Sequence, residues 1–77
     1  MSRVMDVRTI PHAIRHQTIF EAWEGLKEGE SFLLVADHDP VPLRRQFEAM
    51  HGEKFSWTYA RRGPDTWRVE IGRREAA

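Results

Sequence analysis

The run Ser31-Phe32-Leu33-Leu34-Val35-Ala36 is the feature that most constrains what this chain can become. Apolar side chains that point both ways along an extended segment need cover on both sides, which is the pattern of an interior strand. The run is far too short to cross a bilayer, for which roughly 20 residues are needed. Everything else in the chain therefore has to supply its neighbours.

Upstream, Ile19, Phe20, Trp23 and Leu26 are spaced by one, three and three, with Glu21, Glu24 and Glu28 elsewhere on the wheel. This predicts an amphipathic helix from about His16 to Lys27, closed by Gly29 as a left-handed cap. Before it, Val4 to Arg8 alternates with period two and places Met5 and Val7 on one apolar face, a short strand that Pro11 stops. Downstream, Asp39 followed by Pro40 fits a helix N-cap with proline at the first helical position. Leu43, Phe47 and Met50 then mark the buried stripe of a second helix from Val41 to His51, with Arg44, Arg45 and Glu48 on its wet side and Gly52 as its cap. The rest reads as a hairpin: Phe55, Trp57 and Tyr59 alternate with polar or small residues, Gly63-Pro64-Asp65 turns, and Trp67, Val69 and Ile71 alternate back.

The element order is strand, helix, strand, helix, strand, strand. Right-handed crossovers place both helices on one face of a mixed four-stranded sheet, giving an α/β two-layer sandwich of βαβαββ order. One domain over residues 1–77 is expected, with a core from about 4 to 73 and frayed ends at Met1-Ser2 and Glu75 to Ala77. Trp23, Trp57 and Trp67 all fall on apolar stripes and are expected in the core. The open sheet face is expected to carry either Phe32 and Leu34 or Leu33 and Val35. It is then a self-association or docking surface, unless arginine and glutamate stems cover it.

Composition narrows the chemistry. With no cysteine there is no disulfide, thiolate nucleophile, iron–sulfur cluster or cysteine-ligated zinc. Twelve basic residues balance twelve acidic ones, so no global field draws nucleic acid or an anionic membrane. No signal peptide or membrane span is legible, and a cytoplasmic location is expected.

If the first two strands are parallel, both strand-to-helix loops emerge at one edge of the sheet, where ligands bind in open α/β folds. The first loop carries Arg8, His12, Arg15 and His16, and the second Asp37, His38 and Asp39. Two helix N-termini and the arginines would attract an anion there. The imidazoles His12, His16 and His38, with the carboxylates, would equally suit a divalent metal, since zinc, copper and non-haem iron favour such donors. Plainer roles are also open: Asp39 as a helix cap, Asp37 as a partner of Arg8 or Arg15, His38 as a loop residue. His51, at the end of the second helix, is expected to meet the helix dipole rather than join the cluster. No Gly-x-Ser-x-Gly elbow and no phosphate-cradling glycine loop is present.

Several segments in combination resemble a bacterial family, the domain of unknown function 2249. They are Asp6-Val7-Arg8, Arg15-His16, Ile19-Phe20, Gly29-Glu30, Asp37-His38-Asp39-Pro40, Pro42-Leu43, Gln46-Phe47-Glu48, Phe55-x-Trp57-x-Tyr59 and Gly63-Pro64-x-x-Trp67-Arg68-Val69. The resemblance spans roughly Met5 to Arg73 and implies a TusA/SirA-like sulfur-carrier fold. It also implies partnership with hemerythrin-like or cupin domains, to which some members are fused. The Asp-x-Arg-Gly-Leu-x-Cys-Pro motif of sulfur carriers, laid from Asp6, puts His12 at the cysteine and Ala13 at the proline, so sulfur is not carried here. Three readings follow: a non-catalytic ligand- or partner-binding accessory or sensor module at this edge; a metal-binding module using His12, His16 and His38, working with a hemerythrin-like or other redox partner; and a small enzyme with histidine as general acid or base.

Overall fold

The computed structural model describes residues 3–74, so the ends expected to fray lie outside the described residues. Strand β1 (Arg3–Asp6) leads into helix α1 (His12–Glu24), strand β2 (Ser31–Ala36) and helix α2 (Val41–His51). A single 3-10 turn over residues 52–54 follows, and then strands β3 (Phe55–Arg62) and β4 (Trp67–Arg73). The sheet order is β1-β2-β4-β3, with β1 parallel to β2 and the other pairs antiparallel. This is the mixed four-stranded βαβαββ sandwich that the periodicities imply. No helix among the described residues is long and apolar enough to cross a membrane.

The apolar run is interior, as its pattern requires. Phe32, Leu34 and Ala36 join Val69 and Ile71 of β4 on the face that meets Ile19, Phe20 and Trp23 of α1 and Leu43 and Phe47 of α2. Phe47 is fully buried and is the hub of the aromatic packing. Its ring centre lies 4.4 Å from Phe20, 5.3 Å from Phe55 and 5.8 Å from Trp23. Trp23 is also held by its indole N–H, which donates to the Gly72 carbonyl at 2.9 Å and fastens α1 to β4.

On the other face, Val35 is only 4% exposed even though no helix covers it. Its cross-strand neighbours are Asp6 on β1 and Arg68 on β4. Val4, on the same face, stays exposed.

Several boundaries differ from the sequence expectation. Helix α1 begins at His12, directly after Pro11, whose extended backbone (φ −55°, ψ 138°) occupies the N-cap position, whereas β1 has already ended at Asp6 rather than running on to Arg8. It ends at Gly25 in a right-handed conformation, and Gly29 is not its cap. Gly29 instead takes φ 84° in the following turn, where its N–H reaches the Arg73 carbonyl. Helix α2 is capped by Pro40, not Asp39. Met50 is 61% exposed, because the core stripe of α2 is completed by His51. The His51 ring lies 4.1 Å from Trp23, so beside its place in the last turn it packs on the core. Trp57 and Trp67 are half-buried and pack against the core from its rim, so only Trp23 is central.

Removing the hub measures how much of the fold rests on it. Phe47→Ala is expected to cost about 3–5 kcal/mol by urea denaturation, a large share of the stability of so small a domain. A loss below about 1 kcal/mol would place the anchor elsewhere.

Candidate functional site

Parallel pairing of β1 with β2 brings both strand-to-helix loops to one edge, and the pairing continues past the strand as Val7 N–H donates to the Val35 carbonyl at 3.0 Å. Beyond it the chain turns sharply. The Asp6 carboxylate accepts the backbone N–H of Arg8 at 3.0 Å and its guanidinium at 2.7–3.2 Å, so Arg8 folds back on its own strand rather than reaching outward.

Among the described residues, Arg15 is the charged side chain that is buried, at 5% exposure. Its Nε and Nη2 donate to the Ile10 carbonyl at 3.3 and 3.0 Å, and Nη1 donates to Asp37 Oδ1 at 3.2 Å. One guanidinium therefore joins the first loop, α1 and the second loop. Asp37 Oδ1 also accepts from His38 Nδ1 at 2.6 Å. His38 in turn stacks with His12, with ring centres 5.8 Å apart and planes inclined by 26°. The edge thus holds a continuous chain of contacts, Arg15 to Asp37 to His38 to His12, running from the interior to the solvent.

The other expected site residues are placed differently. His16 Nδ1 pairs with Gln46 Oε1 of α2 at 2.7 Å, so His16 bridges the two helices. Asp39 is drawn to the other side, where Oδ1 accepts the Tyr59 hydroxyl at 2.7 Å. Neither helix N-terminus has a side-chain cap. Among the described residues, no group of three or more histidine, aspartate or glutamate side chains is arranged to hold a metal ion, so His12, His16 and His38 do not form a ready triad.

Between the loops lies a shallow cleft of about 290 Å³, counting its open mouth, whose enclosed part is only water-sized. Val7, Leu34 and Leu43 line its apolar side, and Arg15, His16 and His38 its polar side. Gln46, Tyr59 and the Ile10 carbonyl were not singled out from the sequence as parts of the edge. Each acts through a partner far along the chain or through its backbone, and no local pattern marks it.

The profile of the uncharacterized conserved proteins DUF2249 matches residues 4–73, from the first residues of β1 to the last of β4. The chain belongs to the DUF2249 family. No match was found among curated proteins or solved structures.

The electrostatics of this DUF2249 edge follow from the contacts. The hydrogen bond from His38 holds the Asp37 carboxyl below the usual carboxylate range, and the charge of Arg15 helps against partial desolvation. The Arg8 side-chain and backbone hydrogen bonds bring Asp6 down to about 2, and Asp6 raises Arg8 in return. A depressed carboxylate stabilises the fold above its unfolded pKa and loses that contribution as pH falls through the folded one. The Asp6–Arg8 contribution is therefore complete above pH 3.8 and is lost between 3.8 and about 2. In a carboxyl-carbon NMR titration, Asp6 should titrate near 2, and Arg8→Gln should return it toward 3.8. A wild-type midpoint near 3.8 would show that the pair does not form in solution.

Arg15→Met keeps most of the side-chain volume and removes every donor to the Ile10 carbonyl. It is expected to cost about 1–3 kcal/mol and to broaden the amide signals of both loops, whereas an unchanged urea midpoint would show that the loops need no such tie.

Proposed function

We propose that this DUF2249 chain is a non-catalytic ligand- or partner-binding module that uses the edge formed by the two strand-to-helix loops. The observation that carries the reading is the chain of contacts from buried Arg15 through Asp37 to the exposed pair His38 and His12. Burying a guanidinium is costly, and its pairing with a half-exposed carboxylate returns only part of that cost. What the arrangement does achieve is to hold two loops, distant in sequence, in one relative position with imidazoles outermost. Loops held in a defined position beside a cleft are a requirement of recognition.

The arginines do not act as the anion clamp that composition alone suggests. Arg8 is closed on Asp6, and Arg15 on Ile10 and Asp37, so an incoming group meets His12 and His38 first.

The test is an NMR screen of the isotopically labelled chain against divalent cations, oxyanions and small carboxylates. Hits should move the amides of residues 8–16 and 36–41 ahead of all others. Hits that cluster instead on the turn at residues 63–66, or on the open sheet face around Val4 and Leu33, would place the binding function elsewhere.

A further inference from the structure

The tautomer of His38 is fixed by its neighbour. An ionised carboxylate only accepts hydrogen bonds, so the 2.6 Å contact between Asp37 Oδ1 and His38 Nδ1 requires the proton on Nδ1. In the neutral ring the lone pair is then on Nε2, and the His38 side chain is 53% exposed. Asp37 is itself anchored by buried Arg15. This carboxylate–imidazole pair is the arrangement that orients a histidine and raises its basicity toward a metal.

His12 supplies a second imidazole at a workable distance. With metal–nitrogen bonds of about 2.0–2.1 Å, each ring centre lies about 3.2 Å from a shared ion and the two centres about 5–6 Å from each other. The ring centres of His12 and His38 lie 5.8 Å apart with their planes inclined by only 26°, so the spacing suits a shared ion once one ring turns to aim its nitrogen at it. His12 is in the first turn of α1 and exposed, so its ring has the freedom to turn toward such an ion. The nearby positive charges are already paired, Arg8 with Asp6 and Arg15 with Asp37, which limits repulsion of a cation.

We propose that His38 and His12 form a two-histidine site for a divalent transition-metal ion of the zinc, copper or nickel type, with water completing its coordination. This deepens the edge reading and rests on it. Imidazole nitrogen selects these ions over magnesium or calcium, which require oxygen donors. Asp37 is a positioning residue that holds the Nδ1–H form of His38, and Arg15 holds Asp37. His16 stands outside the ligand set because it is committed to Gln46.

The experiment is a zinc titration of the full chain without a histidine tag at neutral pH, read by calorimetry and by imidazole nitrogen NMR. One zinc per chain is expected, with the largest shifts at Nε2 of His38 and His12 and no response to magnesium. His38→Ala and His12→Ala should each weaken binding about tenfold or more, and Asp37→Asn should weaken it about 10–100-fold with the fold intact by circular dichroism. His16→Ala should leave the affinity unchanged.

Absence of zinc binding overturns the proposal, and so does binding that His38→Ala leaves intact. Equal losses in His16→Ala and His12→Ala overturn it too, because they place the ion on the helical His12/His16 pair. If zinc moves nothing while small anions or carboxylates still shift residues 8–16 and 36–41, the metal site falls and the edge reading stands. If neither moves these loops, both fall.

Discussion

The parallel alignment of β1 with β2 is the constraint from which the rest of the functional edge follows. Parallel neighbours send both of their exits to the same side, and the crossover helix between them must return over one face. In register, Arg3 to Asp6 lies beside Phe32 to Val35, so the residues that follow, Val7 to Pro11 and Asp37 to Pro40, leave the sheet together. No side chain at the edge needs to reach far, because the backbone has already brought the two loops into contact.

Within that frame one guanidinium sets the details. Arg15 faces inward from α1 while its neighbours His12 and His16 stay nearer the surface. Its donors divide between a backbone carbonyl in the first loop and a carboxylate in the second. The carbonyl cannot titrate, and the carboxylate is held ionised by His38 and by Arg15 itself. The edge therefore keeps its internal partners across the neutral range, while the outer imidazoles remain free to respond to what approaches.

Much of the architecture was legible because it rests on periodicity. The apolar run of β2, the Leu43–Phe47 stripe and the aromatic alternation of β3 each report a face directly. Errors arose where one residue had two physical uses. Pro11 reads as a strand stop, yet the strand ends earlier, at Asp6, and the proline opens a helix instead, which brings α1 toward the N-terminus and puts His12 on it. Asp39 matches the composition of a cap, yet a tyrosine hydroxyl from β3 claims its carboxylate, and that contact spans 20 residues with no local signature. The site was legible as a set of loop residues but not as a network, because periodicity cannot show that Arg15 would be buried, or that Gln46 rather than a metal would hold His16.

The strand order has a consequence for how the chain reaches its native state. β4, the last of these four strands in chain order, is inserted between β2 and β3, and the Trp23 indole finds its acceptor on it at Gly72. Until residue 73 is available, β2 lacks its antiparallel neighbour and the helices lack half of the surface they cover. No subset of the earlier elements makes a finished sheet, so the sheet is completed only once β4 is available, and contacts distant in sequence weigh on the folding rate. An emerging chain would hold the apolar β2 segment uncovered throughout that interval, and this is when it is most exposed to aggregation or to capture by a chaperone.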